Sequence, residues 1–155
     1  GKARITANGS DVTLVGISYM QIECLHARSY LESVGIDTEV IDPIWLSPLD
    51  IDTIVESVRK TGRLCVVDNG WVTCGASAEI VALVIERLQQ IRPVLVRRLG
   101  FAPVTCPPTP ILENLYYPNA TTIASAVYDL VRGGDNGWMP KQRVDLQEIQ
   151  FRGPF

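Results

Sequence analysis

The chain is poor in the residues that most enzyme chemistry needs. It holds one histidine, His26. Four cysteines stand at 24, 65, 74 and 106, and none forms a Cys-x-x-Cys pair. A Cys/His zinc site therefore has little to build on. There is no Gly-x-Gly-x-x-Gly after a strand, so a dinucleotide site has no fingerprint. There is no Gly-x-x-x-x-Gly-Lys-[Ser/Thr] loop and no Gly-x-Ser-x-Gly nucleophile elbow. Charge of one sign is also missing. Fourteen Lys and Arg against seventeen Asp and Glu give a net −3, which argues against a nucleic-acid footprint. No run reaches the roughly 20 apolar residues of a membrane span. The first residues, Gly1-Lys2-Ala3-Arg4, show no apolar core of a signal peptide. Reduced thiols in a cytosol-like compartment are the simplest account of the cysteines.

What is present is ordinary globular material. The 155 residues are 46% hydrophobic and 20% charged, which fits one domain. Strand and helix patterns alternate, the signature of an α/β layered fold. Val12–Ile17 reads as a strand apolar on both faces. From Tyr19 to Val34, residues Met20, Cys24, Ala27, Leu31 and Val34 recur at helical spacing, and Gly35 stops the helix. Ile36–Ile41 reads as the second strand. Ser47-Pro48-Leu49-Asp50 offers capping chemistry for a helix whose stripe is Ile51, Ile54, Val55 and Val58, with Gly62 as its stop. Leu64–Val67 is the third strand, Ala76–Leu88 a well-buried helix, and Pro93–Leu99 the fourth strand. Five prolines between Phe101 and Pro118 argue against a regular element there. Asn119 caps a last helix, Ala120–Arg132, which Gly133-Gly134 breaks. This organisation gives a domain over residues 1–132 and a C-terminal tail over 133–155.

The most informative stretch is Asp68-Asn69-Gly70-Trp71-Val72-Thr73-Cys74-Gly75. It reads as a turn between a buried strand and a helix, the corner where open α/β sheets place chemistry or partners. Asp68 is a catalytic or phosphoacceptor carboxylate, or else an Asx cap of the turn; with no second acid cluster and no nearby lysine, the cap is favoured. Trp71 is a lid on the domain's own core or an interface anchor, and neither is preferred. Cys74, just before a helix, is a reactive thiolate or a small residue beside Gly75; without a histidine close in sequence the second is favoured. Tyr116 and Tyr117 pack on the sheet edge or face a partner. His26 falls off the apolar stripe of its helix and reads as a solvent-side residue.

Taken together, Gly9-Ser10-Asp11-Val12, Gly35-Ile36-Asp37-Thr38-Glu39-Val40, Ser47-Pro48-Leu49-Asp50, Ser57–Leu64 and Asp68–Ile80 resemble the C-terminal domain of the transketolase family. They are most similar to the beta subunit of the decarboxylating component of 2-oxoacid dehydrogenase complexes. The resemblance covers residues 1–132. It implies a three-layer α/β/α domain with a mostly parallel sheet of about five strands, one of them antiparallel. It also implies a parent enzyme that uses thiamine diphosphate and magnesium, decarboxylates a 2-oxoacid and acylates a lipoyl group. In that family the activating glutamate and the diphosphate site lie in other domains or subunits, so no catalytic, cofactor-binding or metal-binding residue carries over to this chain. Gly134-Asp135-Asn136, which has a faint likeness to a thiamine metal-diphosphate motif, lacks the strand before it and the asparagine pair after it.

The function implied is assembly. The chain's partners would be its own N-terminal pyrimidine-binding domain, an alpha subunit, a second beta subunit and the lipoyl acyltransferase core, with no nucleic acid and no membrane. Asp68, Trp71, Cys74, Tyr116 and Tyr117 are the expected interface residues. The compartment would be the cytoplasm, or a mitochondrial matrix or plastid in a eukaryote. Two departures stand out: Asn69 where the family has a second acid, and Cys74 where it has glycine or another small residue. The alternative is a free-standing α/β interaction or regulatory module derived from that domain. A third reading is a small enzyme working through Asp68 or Cys74.

Overall fold

The computed structural model of the chain describes residues 1–109, 112 and 115–141. Five strands form one sheet in the order β1-β3-β2-β4-β5. They are β1 (Arg4–Ala7), β2 (Val12–Gly16), β3 (Thr38–Asp42), β4 (Arg63–Trp71) and β5 (Leu95–Phe101). Strands β2 to β5 run parallel, and β1 lies antiparallel on β3 with Arg4 opposite Asp42. The helices are α1 (Met20–Glu32), α2 (Ile51–Thr61), α3 (Ala76–Leu88) and α4 (Ala120–Arg132). Helices α1 and α4 pack together on one face of the sheet; α2 and α3 cover the other. This is the three-layer sandwich with one antiparallel strand that the family resemblance implies.

The two faces of the sheet make two cores because strand side chains alternate. Val12, Leu14, Val40, Cys65 and Val67 point to α1 and α4 and meet Cys24, Leu31, Ile123 and Val127. Val15, Ile41, Leu64 and Val66 point to α2 and α3 and meet Ile54, Val58, Ile80 and Val84. Every residue of β2 is buried, as a strand covered on both sides requires. Cys24 and Cys65 are fully buried thiols. Burial raises both, Cys65 to about 12, so they stay protonated and behave as small apolar residues.

The helix ends follow their local chemistry. Asp50 accepts the Thr53 N–H at the start of α2, and Gly62 closes that helix in the left-handed region at φ 71°. Asn119 and Thr122 form a reciprocal capping box at the start of α4.

Four features differ from the sequence reading. Helix α3, expected to be well buried, buries only Ser77, Ile80, Val84 and Leu88, because it covers the sheet with one face. Arg4–Ala7 is a strand, although its first two residues are exposed, its last two only half-buried, and the four show no clean alternation. Strand β4 does not stop at Val67 but continues through Asp68, Asn69 and Gly70 to Trp71. In the proline-rich segment Leu112, Leu115 and Tyr116 are helical, where the five prolines argue against a regular element.

Residues 133–141 fold back on α4. Asp129 accepts from the backbone and the side chain of Asn136, at 2.9 and 3.1 Å. Trp138 then stacks on Tyr128 with 4.6 Å between centroids, and the Arg132 guanidinium lies 5.9 Å from the Tyr128 ring. The expected tail beyond Lys141 lies outside the described residues.

Candidate functional site

At the C-terminal ends of β4 and β5 the sheet carries a cap of four aromatic rings. Its geometry begins with a mismatch between the two strands. Val67 pairs with Leu99 and Trp71 pairs with Phe101, so three residues of β4 oppose one residue of β5. The surplus bulges. Gly100 makes the bulge possible, because a Cβ there would lie 2.5 Å from the Gly70 carbonyl oxygen. Beyond the bulge the chain turns sharply into α3. Cys74 takes a left-handed φ of 56°, and a Cβ on Gly75 would lie 1.8 Å from the Trp71 carbonyl oxygen. The Arg98 guanidinium donates to the Val72 carbonyl at 2.7 Å and holds this turn against β5.

The bulge and turn place Trp71 edge-on to Phe101, with centroids 6.2 Å apart. Phe101 stacks on Tyr116 at 4.9 Å and meets Tyr117 edge-on at 5.0 Å. Tyr116 and Tyr117 are themselves perpendicular at 4.9 Å. These offset and edge-on contacts are the favoured arrangements of aromatic rings. The Ala102 N–H donates to the Tyr116 carbonyl at 3.1 Å and fastens the proline-rich segment to the end of β5. Tyr116 is buried, Tyr117 half-buried, and Trp71 half-exposed. Around them Val104, Leu112 and Leu115 are exposed, Leu115 to 77%.

The structure thus brings Trp71, Tyr116 and Tyr117 together, and the residue that joins them is Phe101. Sequence reasoning missed Phe101 as a site residue, because it reads only as the last apolar position before a run of prolines. Cys74 is exposed in the turn that follows Trp71. Asp68 sits elsewhere in the bulge. By the alternation of Leu64 and Val66 it ends the face of β4 that α3 covers. It lies within strand β4 rather than in the turn where the sequence reading places an Asx cap, and the nearby Asn69 backbone works to lower its carboxyl. Burial pushes its carboxyl above the ordinary value, and no lysine, arginine or histidine pairs with it among the described residues. His26 is exposed on α1, as its position predicts.

No group of three or more His, Cys, Asp and Glu converges on a metal position among the described residues. In the Gly134-Asp135-Asn136 segment the side chains are engaged locally. Asp135 accepts from the Gly137 N–H at 3.3 Å, and Asn136 donates to Asp129. These residues do not fit a magnesium diphosphate group. No helix among the described residues is long and apolar enough to cross a membrane.

A second feature lies at the opposite end of the parallel strands. A cleft of about 470 Å³ between β1, β3 and α2 is lined by Ile5, Asn8, Glu39, Thr53, Ser57 and Lys60, among others. At its floor the buried Glu39 carboxylate accepts from Lys60 Nζ at 2.5 Å and from the Gly9 N–H at 3.4 Å. Burial works to raise its carboxyl, but Lys60, Ser57 and Gly9 together hold it below the ordinary value. Ser57 and Thr61 in turn share hydrogen bonds with the buried Thr13 hydroxyl at 2.7 and 2.8 Å. This is a satisfied network tying β2 and β3 to α2, with its charge already paired.

Comparison with known proteins places the chain among a defined set of relatives. The family model of the transketolase C-terminal domain matches residues 1–123. The beta subunit of acetoin:2,6-dichlorophenolindophenol oxidoreductase from Cupriavidus necator is 40% identical over 140 residues, covering 86% of this chain and 40% of that protein. The beta subunit of the pyruvate dehydrogenase E1 component from Rickettsia bellii is 39% identical, covering 82% of this chain and 39% of its own length. The mitochondrial pyruvate dehydrogenase E1 beta subunit of Pisum sativum is 41% identical over 126 residues. Among solved structures, a split-gene transketolase described as an inactive beta4 tetramer superposes with a TM-score of 0.72 at 28% identity, over 84% of this chain and 41% of that one. The chain spans about two fifths of the length of these proteins.

Proposed function

The chain belongs to the transketolase C-terminal domain family, and from that premise we propose that it is the assembly domain of a 2-oxoacid dehydrogenase beta subunit. The parent would be a thiamine-diphosphate-dependent oxidoreductase that decarboxylates a 2-oxoacid and passes the acyl group to a lipoyl carrier. This domain would supply subunit contact and docking, and would be inactive alone. Its partners would be the pyrimidine-binding domain of its own subunit, an alpha subunit, a second beta subunit and the acyltransferase core. Trp71, Tyr116 and Tyr117, with Cys74 in the adjoining turn and Asp68 in the bulge, would form or border the contact surface.

The observation that supports this reading best is the aromatic cap. It is a fixed, partly exposed cluster of Trp, Tyr and Phe with no nucleophile–base pair and no metal ligands around it among the described residues. Tyr and Trp are the residues that carry binding energy at protein interfaces, and charged groups are depleted at interface centres. Isothermal titration of the chain with thiamine diphosphate and magnesium is expected to give no heat of binding. Tight binding would overturn the assignment, because it would place a cofactor site within this domain.

A further inference from the structure

We infer that the outer edge of β5 is a docking edge, which takes an extended acidic segment of another protein as a sixth strand of the sheet. The inference goes beyond the assembly reading. It concerns a surface other than the aromatic cap and does not depend on what the parent enzyme does.

Strand β5 is the last strand of the sheet among the described residues. Its seven residues contain no proline. The Leu95 N–H donates to the Gly62 carbonyl at 3.1 Å, so the backbone of Leu95 faces β4. Backbone groups of successive strand residues point to opposite sides. The N–H and C=O of Val96 and Arg98 therefore point outward, where no described strand takes them. Such a row is the template that an added strand uses. The other edge of the sheet offers less. Strand β1 has four residues, its register shifts between Ile5 and Ala7, and Arg4 is already held by Asp42. Short length and irregular register are usual ways of closing an edge.

Charge names the occupant. From Arg87 to Leu112 the sequence has four arginines and no Asp, Glu or Lys, on a chain of net −3. Arg97 is exposed near the middle of β5 and makes no ion pair among the described residues. Arg92 donates to the Arg59 and Lys60 carbonyls, and Arg98 to the Val72 carbonyl. These are backbone groups, so no carboxylate neutralises either cation. Opposite charges facing one another across two strands stabilise the pair, and like charges oppose it. A second copy would set arginine against arginine. An acidic strand would set carboxylates against them, and the local positive field would steer it there. Leu95 and Val96 are exposed on opposite faces of the strand, so an added strand would also cover apolar surface on both sides.

Amide hydrogen exchange of the reduced chain, followed residue by residue by NMR, tests this. The probe is a blocked peptide alternating Glu and Val; the control is the same peptide with Lys in place of Glu. The acidic peptide is expected to slow exchange of the Val96 and Arg98 N–H, and the basic peptide to leave both unchanged. Arg97→Glu should weaken binding of the acidic peptide about tenfold or more and admit the basic one. Val96→Pro removes an outward N–H that β4 does not use and should abolish the protection at Arg98. Circular dichroism melts confirm that each variant is folded. Arg97 is exposed, so its charge reversal decides the matter if Val96→Pro does not fold. No binding at millimolar peptide, equal binding of the two peptides, or binding without protection of the edge amides overturns the inference. None of these results bears on the assembly reading, which fails separately if thiamine diphosphate binds.

Discussion

The ring of Phe101 lies on that of Tyr116, with 4.9 Å between centroids and 27° between planes. With the Ala102–Tyr116 backbone hydrogen bond, this contact joins the last residue of β5 to a segment fifteen residues further along the chain. It makes the proline-rich stretch part of the sheet's end rather than a loose loop.

Removing that ring should be felt through the whole cap. Tyr116 is 7% exposed, so Tyr116→Ala deletes a buried aromatic side chain and is expected to cost roughly 2–4 kcal/mol. Tyr116→Phe keeps the stack and should stay within about 1 kcal/mol of the parent. Urea denaturation curves of the two variants separate these outcomes.

Two glycines should respond differently to alanine. At Gly75 the added methyl would meet the Trp71 carbonyl, so Gly75→Ala must distort the turn; a loss of about 2 kcal/mol or more is expected. Gly133 has φ 78° and ψ 124° with open space around it, so its alanine variant bears only a positive-φ backbone penalty, about 1–2 kcal/mol, with no clash. Thermal melts rank the two, and Gly75→Ala alone should alter the near-ultraviolet signal of the cap.

The Glu39 network makes a pH prediction. Its folded carboxyl titrates below the ordinary 4.5, so the stabilisation is complete above that value and is lost as pH falls through the lower, folded value. Lys60→Met would leave a buried carboxylate without its cation, at an expected cost of about 1–3 kcal/mol at neutral pH. The difference should shrink on acidification, as Glu39 becomes protonated in both proteins. Stability measured as a function of pH for the two proteins checks this.

Asp68 makes the opposite prediction. Burial raises its folded carboxyl above the ordinary 3.8, so its charged form weakens the fold as pH rises through the interval between the unfolded and folded values. Asp68→Asn removes that charge and should raise the melting temperature at neutral pH. The gain should disappear in acid, where the native residue is itself protonated. A gain that persists unchanged into acid would show that the charge is not its source.

The elements most legible in the sequence are those whose boundaries are set locally. Helix α3 begins and ends where its apolar pattern does. Asp50, Gly62 and Asn119 perform the capping roles that their chemistry predicts. What escaped the sequence depends on distant partners. Strand β1 is four residues long, and its pairing lies with β3, more than thirty residues away. Asp68, Asn69 and Gly70 are poor strand formers, yet pairing with β5 and the small size of Gly100 carry β4 across them. Trp71, Tyr116 and Tyr117 stood out as separate aromatic residues. Nothing in their spacing shows that Phe101 gathers them, since that requires the β4–β5 register.

Strand β1 is antiparallel to β3, and Arg4 at its start is paired with Asp42, while Lys2 and the Ala3 N–H reach Asp50. Gly1 therefore leaves the sheet beside the loop that precedes α2. A mechanical load applied at Gly1 would reach the edge of the sheet directly, with no helix between to stretch or unwind. The contacts at Asp42 and Asp50 would take that load first, ahead of the two cores behind them.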